Sequence, residues 1–141
     1  MTQITLDTSK GQLAYYTFGQ DALAASQTDI QLPAVLAEAS QVVDGYCMPF
    51  RGDIVAVVWS SSVAATTGSA TIGATIGGTE DADTTLTVTT ATNSYKRIAR
   101  GKAPIAAGAR LGCELTTGGT WDGTAADLVA TIYVLHYLEG I

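Results

Sequence analysis

From Gly45 onward, short stretches in which apolar side chains alternate with Thr, Gly or Ser recur every ~8 to 12 residues, separated by turns rich in Gly, Ser and Thr. A period of two puts successive side chains on opposite faces of a strand, and past residue 40 nothing keeps the 3.6-residue period of an amphipathic helix. The chain is therefore constrained to many short strands, and one-sided alternation requires two sheets or a closed one to bury the apolar sides.

The individual segments are legible. Residues 54–59 (IVAVVW) form an almost unbroken apolar run, the pattern of a central strand buried on both faces. Residues 70–76 alternate Ala70, Ile72, Ala74 and Ile76 with Thr71, Gly73 and Thr75, and Gly77-Gly78 closes them. Leu86 and Val88 alternate with Thr85, Thr87 and Thr89. Residues 95–99 (YKRIA) read as an edge strand whose cations discourage pairing with neighbours. Leu111, Cys113 and Leu115 share one side of residues 110–116. In residues 127–138 both sides are apolar, with Leu128, Ala130, Ile132, Val134, His136 and Leu138 on one and Val129, Thr131, Tyr133, Leu135 and Tyr137 on the other. That strand is expected to lie against a core and also against something else. No fixed-length repeat points to a propeller or solenoid.

Residues 1–44 differ. Residues 13–18 (LAYYTF) and 28–32 (TDIQL) read as short strands, the latter with Ile30 and Leu32 on one side, and residues 33–40 (PAVLAEAS) as one or two helical turns. These residues are expected to form an extended N-terminal arm that contributes one or two short strands and partly embraces a partner, ahead of a β-sandwich at 45–141. The fold class expected is all-β, an antiparallel jelly-roll sandwich of about eight strands.

The length of 141 residues fits one domain with enough core to need no disulfide or metal. Only 14% of residues are charged, while Thr occurs 21 times, Ala 22 and Gly 15, so the exterior must be largely neutral. A net charge of −6 disfavours a nucleic-acid partner, since a phosphate backbone rewards concentrated positive charge. Five bases nevertheless fall close together in sequence: Lys96, Arg97, Arg100, Lys102 and Arg110. They form either a patch for an acidic partner or a solvated edge. No apolar run is long enough to span a bilayer and the first residues lack a secretory pattern, so no membrane contact and a cytosolic site of synthesis are expected.

The usual carriers of chemistry are sparse. His136, the single histidine, sits in an apolar strand and reads as a packed or interface residue. Cys47 and Cys113 read as buried, reduced small hydrophobes, a mutual disulfide being the alternative. Glu80, Asp81 and Asp83 lack the spacing of a calcium loop and read as a solvated turn. Residues 73–79 lack the Lys of a phosphate loop, and Ser60 to Ser62 lack a nucleophile elbow. No catalytic residue, metal or cofactor is expected. Arg51-Gly52-Asp53 spells an integrin-type tripeptide but leads straight into the 54–59 strand, which holds the Asp at the strand entrance. Among the aromatic residues Tyr15, Tyr16, Trp59, Trp121, Tyr133 and Tyr137, Trp121 on its Gly-rich turn is expected to be exposed and is the candidate ligand contact.

Four stretches carry a family resemblance: Phe50-Arg51-Gly52-Asp53 before the 54–59 strand; Gly68-Ser69-Ala70-Thr71-Ile72; Ala107-Gly108-Ala109-Arg110-Leu111-Gly112; and Thr116-Thr117-Gly118-Gly119-Thr120-Trp121. Their order resembles the jelly-roll capsid decoration (cement) proteins of tailed bacteriophages and the related head-fibre modules, over residues 45–141 only. The resemblance implies a non-enzymatic virion protein, made in the host cytoplasm, that joins the capsid exterior as a homo-oligomer, a trimer or secondly a dimer. It would bind across neighbouring subunits of the major capsid protein. Lys96, Arg97, Arg100, Lys102 and Arg110 would then meet the capsid, and Val129, Tyr133, Leu135 and Tyr137 would form the subunit interface. The alternative is a carbohydrate- or receptor-binding module of a phage fibre, with Trp121 as its contact.

Overall fold

The computed structural model describes residues 11–34 and 44–138, and in them the expected strands form two antiparallel sheets packed face to face. In the first sheet β1 (Gln12–Gln20) pairs with β11 (Leu128–His136), β11 with β4 (Gly52–Ser61), and β4 with β8 (Asn93–Arg97), while β9 (Pro104–Ile105) continues the β8 edge along β4. In the second, β2 (Ile30–Gln31) and β3 (Tyr46–Cys47) pair with one side of β10 (Arg110–Thr117), whose other side carries β5 (Ala70–Ile76). Beyond β5 lie β6 (Thr79–Glu80) and β7 (Leu86–Val88), joined by a 3-10 turn at Ala82–Thr84. The first strand thus lies beside the last and the chain crosses repeatedly between sheets, which is the winding of a jelly roll.

The alternation read from sequence becomes the core. Ile54, Val57 and Trp59 of β4 and Ala130, Ile132 and Val134 of β11 face Ile72 and Ala74 of β5 and Leu111, Cys113 and Leu115 of β10, all fully or almost fully buried. At the β5–β6 hairpin Gly77 and Gly78 take φ of 62° and 89°, the paired positive values of a primed turn that matches the twist of its strands.

Three expectations change. The 54–59 run is central, between β11 and β8, but Val55, Ala56 and Val58 remain half-exposed. Its unbroken apolar character has another cause. The register between β4 and β11 shifts between Tyr133 and Val134, so Val55 is the extra residue of a bulge and breaks the alternation of an otherwise one-sided strand. The described part of residues 1–44 is no separate arm either. Strand β1 pairs with β11 at nine consecutive positions and β2 joins β10, so an edge of each sheet comes from residues 12–31. Finally, Ile30 and Leu32 do not share a buried side, for Leu32 is fully buried while Ile30 is 41% exposed at the sheet edge. The expected helical turns at 33–40 fall almost wholly outside the described residues.

Candidate docking surfaces

The outward face of the first sheet is built by the same alternation that fills the core. Across it Leu13 of β1 lies opposite Leu135 of β11, and Tyr15 opposite Tyr133, with ring centroids 6.1 Å apart. The Tyr133 row continues through Ala56 to Arg97, and the next row runs from Thr17 through Thr131 and Val58 to Tyr95. Tyr15 is 67% exposed, Tyr95 65%, Leu13 58% and Val129 45%. Exposed apolar residues scattered singly are ordinary, but here they share one sheet face, and contiguous patches of this kind mark contact sites. Val129, Tyr133 and Leu135 therefore stand where the sequence puts them, on the side of β11 away from the core. The partners that β1 and β8 add, Leu13 and Tyr95, depend on strand pairing that no sequence spacing displays.

The five bases do not make one patch. Arg97 stacks over Tyr95, its guanidinium carbon 5.8 Å from the ring centroid, and with Arg100 and Lys102 it lines the exposed β8–β9 edge. Lys96 points the other way, half-buried, and donates from Nζ to the carbonyl of Thr85 at 3.1 Å. Arg110 begins β10 in the second sheet, opposite Cys47 and beside Gly78. Nearness in sequence is undone by alternation in the first case and by the crossover between sheets in the second.

Tyr137 departs from the apolar column it was assigned to. Its backbone N–H extends the β11–β4 ladder by donating to the carbonyl of Arg51 at 3.0 Å. Its hydroxyl accepts from Arg100 Nε at 3.0 Å and Nη2 at 2.9 Å and donates to Asp53 Oδ2. The guanidinium carbons of Arg51 and Arg100 lie 4.9 and 5.1 Å from its ring centroid. These residues border a cleft of 740 Å³ whose other wall is Pro104, Ile105, Ala106 and Ala107. Asp53 is only 6% exposed, so the Arg-Gly-Asp tripeptide is held at the strand entrance as its sequence context required.

No family model matches the chain, and no curated protein matches it significantly.

Trp121 is corrected outright. It is 3% exposed, because its own loop closes over it: Gly123 sits so near that a Cβ there would collide with Trp121 Cζ2, and Gly68 abuts its backbone. The Gly-rich turn that suggested display is what lets the loop fold over the ring. A ligand cannot stack there as the loop stands.

The remaining polar residues have local structural partners. His136 is buried, with Nδ1 3.0 Å from the Phe50 carbonyl and Nε2 2.7 Å from the Tyr16 hydroxyl. A carbonyl only accepts, so Nδ1 carries the proton, and in the tautomer with Nε2 bare the Tyr16 O–H donates to Nε2. Burial raises the Tyr16 phenol above its usual value, keeping it a donor. Asp81 accepts from the Asp83 N–H and Glu80 from the Thr85 hydroxyl, so the acidic turn caps its own 3-10 segment. Among the described residues no three His, Cys, Asp or Glu side chains gather as metal ligands. On the outward side of the second sheet Glu114 is shifted upward, chiefly by burial and then by the charge of Asp29. Cys113 is buried and free, whereas Cys47, expected inside, is free but exposed on the edge segment β3. No helix among the described residues is long and apolar enough to cross a membrane.

Proposed function

We propose that this protein is a structural component of a phage virion that decorates and stabilises the capsid by binding across neighbouring subunits of the major capsid protein. The observation that carries this reading is the outward face of the first sheet, where Leu13, Tyr15, Val129, Tyr133 and Leu135 present aliphatic and aromatic surface together. In the proposal copies of the chain meet through this face as a trimer, with a dimer as the second choice. The cationic edge of Arg97, Arg100 and Lys102 beside it is left to meet acidic capsid surface. The jelly-roll winding is compatible with this role but does not argue for it, because one fold serves many functions. A fibre module reading carbohydrate through Trp121 has less to support it, since that ring is buried.

The test is cosedimentation with empty shells of the cognate major capsid protein, paired with light scattering of the free chain. Charge reversal at all three sites, Arg97→Glu, Arg100→Glu and Lys102→Glu, is expected to abolish shell binding while the far-ultraviolet circular dichroism stays unchanged. Undiminished occupancy would discard the edge as the capsid contact. A monomeric wild-type chain that does not bind shells would discard the role.

A further inference from the structure

The outward face of the first sheet carries a pattern that apolar character alone does not require. Strand pairing lays its side chains out in rows across β1, β11, β4 and β8. One row runs Tyr15, Tyr133, Ala56, Arg97, so two aromatic rings on the β1 side give way to a methyl and then a guanidinium. The next runs Thr17, Thr131, Val58, Tyr95, and the one beyond it Gly19, Val129, Ser60, Asn93. Each row fits its own reversal. Turned end for end, the first sets Tyr133 over Ala56 and Arg97 over Tyr15. The second sets Tyr95 over Thr17 and one β-branched side chain over another, and the third sets Val129 over Ser60 and Asn93 over Gly19. These rows hold one cation, Arg97, and no carboxylate.

We infer that this face binds a second copy of the chain about a two-fold axis running along the strands, with β1 of each copy over β8 of the other and Arg97 of each stacked on Tyr15 of the other. An isologous contact requires a patch that is its own complement, residue i meeting j while j meets i. The rows have that property, and sheets pack face to face with their strands nearly aligned. Charge follows the same symmetry. The cation stands at the β8 border and an exposed ring, with its electron-rich face, at the β1 border, and the axis brings each onto the other twice. Arg97 is prepared for this, because stacking on its own Tyr95 already orders its guanidinium. A two-fold across the strands would set β8 on β8 and bring both Arg97 side chains to one border. A cyclic trimer needs two different surfaces on each copy, whereas these rows lie on one. The inference rests on the reading of this face as the self-contact and takes the dimer of its two stoichiometries. It draws Arg97 into the contact and leaves Arg100 and Lys102, past the end of β8, as the cations that meet the capsid.

The experiment is cross-linking of the full chain between copies. In a Cys47→Ser background, which removes the exposed native thiol, Tyr15→Cys and Arg97→Cys are made in separate chains, mixed and oxidised. The mixture is expected to yield a covalent dimer that neither variant yields alone. Sedimentation equilibrium of the wild type should give the mass of two copies. Ala56→Trp, which fills the space that the second copy's Tyr133 enters, should give a monomer with unchanged far-ultraviolet circular dichroism. Arg97→Gln should weaken the dimer about tenfold, since the axis removes two cation–ring contacts at once, and Arg110→Gln, in the other sheet, should not weaken it. A wild-type monomer or trimer, an intact dimer in Ala56→Trp, a covalent dimer from Tyr15→Cys chains alone, or no cross-link in the mixture would each overturn the inference. Cross-linked dimers that fail to bind shells would strike the capsid reading alone, and shell binding by a monomeric wild type would strike this inference alone.

Discussion

Tyr16 and His136, 120 residues apart, meet at 2.7 Å inside the first sheet, the phenol donating to Nε2 of a ring whose Nδ1–H is already spent on Phe50. The strands that carry them are the first and last of the jelly roll, so the contact joins its two ends across the β1–β11 seam. Removing the phenol oxygen by Tyr16→Phe leaves a buried acceptor unsatisfied, at a cost of about 1 to 3 kcal/mol in chemical denaturation. The loss should be much smaller when His136 is replaced by Leu as well, so the double-mutant cycle measures a real coupling.

The same pair sets an alkaline limit. Burial raises the Tyr16 phenol above the ordinary 10.0, so the unfolded chain ionises first. Stability is therefore unaffected below that pH and declines as pH rises through the folded value. Denaturation midpoints of wild type and Tyr16→Phe, compared between pH 9 and 11, should converge as pH increases.

At the acid end the responsible group is Asp122. Hydrogen bonds from the Thr66 hydroxyl and from the N–H groups of Thr66 and Thr67 lower it from 3.8 to about 2. A depressed carboxylate contributes stability above its unfolded value and loses it as pH falls through the folded one, here between pH 3.8 and about 2. Asp122→Ala should flatten this part of the acid profile and speed amide exchange at Thr66 and Thr67. Identical exchange in the variant would show that the tie between these loops is inconsequential.

These contacts mark where reading the sequence reaches its end. Alternation along one strand is a local property, and it placed Leu111, Cys113 and Leu115 in the core and Val129, Tyr133 and Leu135 outside it. Pairing between strands is not local. Hence the apolar face lacked Leu13, the cation patch included Arg110 from the wrong sheet, and the bulge at Val55 passed for two-sided burial. The Arg51–Asp53–Arg100–Tyr137 cleft was invisible for the same reason, because its members come from three separated stretches that only the jelly-roll winding brings together. Trp121 failed differently: glycines around an aromatic ring permit display and enclosure alike, and only the loop's path decides.

Trp121 provides a direct check of that enclosure. An exposed ring can be removed with little effect, but this one is part of the core, so Trp121→Ala should destabilise the fold by about 3 to 5 kcal/mol. Val63→Ala, at 51% exposure in the loop after β4 and away from the proposed contact face, should stay within about 0.5 kcal/mol of wild type. Similar losses for the two would contradict the burial described.

Thiol chemistry separates the two sheets' edge from their interior. Cys47 lies exposed on β3, at the edge of the second sheet, and is open to a water-soluble alkylating reagent. Cys113 is fully buried on β10, and burial with the nearby charge of Glu80 raises its thiol well above the ordinary 9.0, so little of the reactive thiolate exists there. Iodoacetamide on the native protein should therefore add one label, at Cys47, and a second only after denaturant opens the sandwich. Because the second label requires unfolding, its rate follows stability, and it should rise in Trp121→Ala and in Tyr16→Phe but not in Val63→Ala. Two rapid labels on the native chain would show that β10 is not enclosed between the sheets, and mass spectrometry of the tryptic peptides identifies which cysteine reacted.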